Sequence, residues 1–155
     1  MKKENMNNKG FSLVELIIVI AIMAILIVVL APQYLKYVER SRNSTDLQNA
    51  TELKIAVETW CADPEATSAA TAGEDIIITV PNPGPATVTG AAAAVGQDAI
   101  TDAGLNLADI KCVSKTRWAS YTMTGTMGSN GSITWTYSNT GGTGNTAFAD
   151  AMAGK

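Results

Sequence analysis

Lys9-Gly10-Phe11-Ser12-Leu13-Val14-Glu15, continued by an apolar run that closes at Ala31-Pro32, decides how the rest of the chain is read. From Phe11 to Ala31 there are 21 residues, and only Ser12 and Glu15 are polar. As a helix this run measures about 32 Å, enough to cross a hydrocarbon core. A helix packed on a water-soluble domain needs one apolar stripe, not an apolar circumference. Glu15 is then the anomaly, because a carboxylate inside a membrane-length helix costs roughly a few kcal/mol unless something pairs with it.

One proteolytic cut supplies the partner. Cleavage between Gly10 and Phe11 creates an α-amino group on the helix face of Glu15, within reach of Glu15 of the same or a neighbouring chain. The residues Lys9, Gly10, Phe11, Ser12, Leu13 and Glu15 closely resemble the prepilin cleavage signature of type IV pilins and related pseudopilins. The resemblance implies that a prepilin peptidase cuts after Gly10 and that Phe11 becomes the N-methylated first residue. It further implies that Glu15 sets register in a homo-oligomeric filament, built from the membrane by a pilus assembly machinery and displayed at the cell surface. The alternatives are a plain membrane anchor and a removable signal. A removable signal has an apolar region of roughly 7–15 residues with a small-residue cleavage site after it. The run here is longer and carries a glutamate, although Ala24 and Ala31 leave that option open.

The 155 residues allow a leader, a membrane-length segment and one modest outer domain. The expected division is a leader over 1–10, a membrane and filament-core segment over 11–32, and an amphipathic helix with a globular head over 33–155. Lys2, Lys3 and Lys9 stand against Glu4 in the leader, which keeps the N-terminus cytoplasmic and the segment single-pass in the inner or cytoplasmic membrane before assembly. Lys36, Arg40 and Arg42 on the far side oppose that orientation, with Glu39 among them.

Pro32 has no N–H to give to Val28, so a helix passing through it loosens or kinks there. Residues 33–62 nevertheless carry eight charges summing to zero, and Leu47, Ala50, Leu53, Val57, Trp60 and Cys61 recur at three- and four-residue steps. That spacing predicts one helix from Phe11 to about Cys61 with a buried stripe on its second half. The resemblance adds that the helix partly unwinds near Pro32 in the filament, although Ala24 stands where many pilins carry glycine.

Asp63-Pro64 closes the helix, and residues 63–155 hold only 12 charged side chains among Ala, Gly, Thr, Ser and Asn. Ile76–Val80 reads as a strand before Pro81-Asn82-Pro83-Gly84-Pro85, while Ala91–Val95 and Asp98–Ala103 are weakly helical or loop. Trp118–Thr126 and Ser132–Tyr137 alternate around Gly128-Ser129-Asn130-Gly131, which puts Ile133, Trp135 and Tyr137 on one face. With Ile110–Arg117 they predict a small antiparallel sheet of three or four strands, one face covering the helix stripe. The fold class is therefore α+β, a long N-terminal helix packed on a sheet-bearing head. The tail after Asn139 has little to bury.

Cys61 at the helix end and Cys112 on the Ile110–Arg117 strand suggest a disulfide that closes a 52-residue loop, worth roughly 4 kcal/mol by chain entropy. The alternative is two buried thiols. Catalysis has little support: the chain has no histidine, no nucleophile elbow, no phosphate loop and no Cys-x-x-Cys, so neither an enzyme nor a bound cofactor is expected. Asp98, Asp102, Asn106 and Asp109 are candidate calcium ligands, more simply read as solvated loop groups. Lys111, Lys115 and Arg117 alternate and offer weak contacts for DNA phosphates, more simply a solvated face on a chain of net charge −3. Three functions compete: a type IV pilus subunit serving adhesion, motility or DNA uptake, a pseudopilin of a type II secretion or competence system, and a tethered binding module that never polymerises.

Overall fold

The computed structural model describes residues 10–63 and 71–154. Leader residues 1–9 and Pro64 lie outside the described residues. Helix α1 runs from Leu13 to Cys61 with Pro32 inside it, so the apolar run and the amphipathic stripe belong to one element, as expected. Contacts within the chain divide it into two units, one ending at Val38 and the other starting at Glu39.

In the first unit every described side chain from Gly10 to Tyr37 is exposed. The helix is apolar on all sides here and has no core of its own, and it is long and apolar enough to cross a membrane.

The second unit holds the core. After the helix come β1 (Asp75–Val80), β2 (Thr87–Thr89), α2 (Ala93–Asp102), β3 (Ser120–Met127), β4 (Ile133–Thr140) and α3 (Ala147–Met152). The strands form one antiparallel sheet in the order β2-β1-β3-β4. Alternation does the sorting: Ile76, Ile78 and Val80 of β1 and Tyr121, Met123 and Met127 of β3 point inward, against Ala50, Leu53, Val57 and Cys61 of α1. Leu47 and Trp60 complete the stripe as half-buried neighbours. On β4, Ile133, Trp135 and Tyr137 share the half-buried face, as predicted.

Two glycines make close packing possible. A Cβ at Gly125 would lie 2.8 Å from the Ile133 side chain and 3.0 Å from the Trp135 ring, which crosses the strand there. At Gly96 it would meet Ile76 at 2.6 Å, so α2 lies flush on the sheet.

Three expectations are corrected. Ile110–Arg117 is not a strand but an irregular segment; the fourth strand is the short β2 at the other edge. The tail does bury something: Phe148 of α3 is fully buried, stacked on Tyr121 at 4.3 Å and edge-on to Trp118 at 5.2 Å. Cys61 and Cys112 are not joined. The Cys112 thiol donates to Asp46 Oδ2 at 3.4 Å, and Asp46 precedes Cys61 by four turns of α1, about 22 Å of rise. A disulfide tolerates at most about 7 Å between Cα atoms, so helix geometry forbids this one.

Candidate functional site

The N-terminal motif is built on the first turn of α1. Gly10 is exposed, with open space around the position a Cβ would take, so nothing in the fold demands glycine there. Phe11 is 94% exposed. Ser12 precedes the helix, and its backbone N–H donates to Glu15 Oε2 at 2.8 Å, the returning half of a capping box. In the uncut chain Glu15 thus satisfies itself on a backbone amide, a partner that counting cations in the sequence does not reveal.

A second pair of helix carboxylates organises the head. Glu39 and Asp46, two turns apart on one face of α1, both turn toward the 112–118 segment. Asp46 is fully buried, its Oδ1 taking the N–H of Val113 at 2.8 Å and its Oδ2 the N–H of Ser114 at 3.0 Å and the indole N–H of Trp118 at 2.8 Å. Glu39 Oε1 accepts the Ser114 hydroxyl at 2.9 Å and the N–H groups of Lys115 and Thr116 at 2.7 and 2.8 Å. Its other oxygen holds Arg42 at 3.4 Å. Desolvation works against the charged form of Glu39, but the bonds from Thr116, Lys115 and Ser114 outweigh it and hold the carboxyl at about 2. Burial, reinforced by the Asp46 carboxylate, pushes the Cys112 thiol up to about 12. These groups replace the missing ladder: backbone amides that a strand would pair are taken by side chains from the helix.

The other sequence candidates do not converge. Lys111 and Lys115 are exposed, whereas the Arg117 guanidinium lies 5.4 Å from the centre of the Trp118 ring, so the three share no strand face. Asp98 and Asp102 sit on α2, while Asn106 donates to Asp109 at 3.0 Å in the next turn. Among the described residues no three acidic, cysteine or histidine side chains gather as metal ligands. Glu39 and Asp46 were overlooked in the sequence, where the available signal was an aspartate one turn before Ala50 in an apolar stripe.

With that geometry in place, comparison with known proteins is informative at the N-terminus. Residues 5–31 match the prokaryotic N-terminal methylation motif. In this N-terminal segment the chain is similar to type IV pilins. Over 55 residues it is 42% identical to the type IV major fimbrial protein FimA of Dichelobacter nodosus, covering 36% of this chain and 35% of that one. Over 70 residues it is 36% identical to the prepilin peptidase-dependent protein A of Clostridium perfringens, covering 44% of this chain and 50% of the relative. The chain spans about a third to a half of the length of these curated relatives. No solved structure matches it significantly. Its architecture, a long N-terminal helix whose second half packs on a four-stranded antiparallel sheet, is that of the pilin fold.

Proposed function

We propose that this chain is a structural subunit, not an enzyme, cut after Gly10 by a prepilin peptidase and assembled from the membrane into a type IV pilus filament. The observation that carries the reading is the junction of the methylation motif with a helix whose apolar side chains are exposed from Phe11 onward. Such a helix needs lipid around it first and other helices afterwards. In this reading residues 1–10 are removed, 11–32 hold the subunit in the membrane and then line the filament core, and 33–155 carry the head outside. Phe11 receives the methyl group, and its new amine replaces the Ser12 amide as the partner of Glu15, on its own or a neighbouring chain. Pro32, already without an N–H to give, is where the helix loosens on assembly.

The likeness to a major fimbrial protein favours a long fibre over the short filament of a pseudopilin. N-terminal sequencing of the mature chain tests the processing: Phe11, methylated, is expected, and a chain starting at Met1 or after Ala31 overturns it. Recovery of long surface fibres containing the chain separates a pilus subunit from a pseudopilin and from a tethered module.

A further inference from the structure

Within the second unit only two large hydrophobic side chains among the described residues stay exposed: Ile55, at 55%, and Val113, at 36%. Each lies in its own concavity. Ile55 lines a groove of about 730 Å³ between α1 and α2, floored by Ala56, Trp60 and Ala99 and edged by the carboxylates of Glu52, Asp63 and Asp102. Val113 stands beside Pro83 and Pro85, and its rim is basic: Arg42, Lys111 and Lys115. Among the described residues neither lysine makes an ion pair, and no cation meets Glu52 or Asp102. An apolar centre with an acidic edge and an apolar centre with a basic edge are complementary in both terms.

One copy cannot satisfy itself. Arg42 and Ile55 are thirteen residues apart on the same helix, about 20 Å along its axis. We propose that the Ile55 groove of one copy receives the Val113 face of a second copy of this chain, with Glu52 and Asp102 meeting Lys111 and Lys115. Because the two patches differ, the contact between parallel copies is heterologous, and it propagates along an assembly where a self-complementary patch would close a pair. The contact rests on the filament reading above and adds a lateral bond between heads, separate from the packing of the apolar helices.

The test uses the full chain in its producing cell, with fibres sheared off and quantified. In the Ile55→Cys/Val113→Cys variant, mild oxidation is expected to give a ladder of covalent multimers, and each single variant none; buried Cys61 and Cys112 are common to all three. Glu52→Lys/Asp102→Lys is expected to lower fibre yield at least tenfold, and adding Lys111→Glu/Lys115→Glu to restore it. Fibres without a ladder, wild-type yield from the lysine pair, or no recovery in the fourfold variant each overturn the contact while leaving the filament reading intact. A wild-type chain that makes no fibre overturns the filament reading first and this contact with it.

Discussion

The indole N–H of Trp118 is bonded to Asp46 Oδ2 at 2.8 Å, which ties a fully buried ring to a fully buried carboxylate on the helix. The same carboxylate accepts two backbone amides and the Cys112 thiol, so Asp46→Ala strands three N–H donors and a thiol at once. Each orphaned donor costs about 1–3 kcal/mol, offset in part by relaxation and entering water. The expected loss is about 3–5 kcal/mol, read as a shift of the urea midpoint of the detergent-solubilised chain. A change below about 1 kcal/mol contradicts the role given to Asp46.

Acid should loosen the 112–118 segment through Glu39. The ordinary carboxyl value of 4.5 falls to about 2 in the folded chain, so the native state binds fewer protons than the unfolded one. The stabilisation is complete above about pH 4.5 and is lost as pH falls toward 2. It amounts to about 1–3 kcal/mol once solvent near the group is allowed for. Glu39→Gln is expected to remove that part of the acid limb, which a melting series from pH 6 to 2 measures.

Reducing agent should change nothing. The intact mass of the chain without reductant is expected to equal the reduced mass, and melting to be the same with and without dithiothreitol. Alkylation of native Cys112 should be slow at pH 8, because burial and the Asp46 carboxylate favour the neutral thiol. A mass lower by two hydrogen atoms would reinstate the bond that helix geometry rules out.

Phe148→Ala opens the core under Tyr121 and Trp118. Removing a fully buried phenyl ring costs about 3–5 kcal/mol, and the near-ultraviolet circular dichroism of the two aromatic neighbours should weaken with it. Phe148→Leu, which keeps most of the volume, is expected to recover more than half of the stability.

Glu15→Val tests the N-terminal carboxylate. The first turn loses the bond to Ser12 N–H, a contribution of at most about 1 kcal/mol at a helix start, while the apolar segment becomes easier to insert. The monomer is therefore expected in the membrane at normal level with fibre yield down at least tenfold. Wild-type fibre yield in this variant contradicts the register role proposed for Glu15.

How much of this was legible in the sequence depends on the range of the interactions. The α1 stripe from Leu47 to Cys61 and the β3–β4 hairpin around Gly128-Ser129-Asn130-Gly131 are local patterns, and both are found where periodicity put them. Ile110–Arg117 was misread because its alternation is imposed by distant acceptors: Cys112 and Ser114 are buried by Asp46 and Glu39, not by a neighbouring strand. Three-residue β2 is too short to show a period. Phe148 is a lone aromatic in a Gly- and Thr-rich tail, and nothing within ten residues of it announces the ring stack it joins. The N-terminal motif was readable because it is contiguous, while the role of Glu39 and Asp46 was not, since their partners lie more than sixty-five positions away.

Phe148 also sets a clock. The ribosome delivers α1 first and the ring that seals the aromatic core only after all four strands have been made. Until then Tyr121 and Trp118 face an open seam, and a partly made head cannot close however complete its sheet is. A chain stalled before Phe148 therefore stays open, with its aromatic core within reach of any protease it meets.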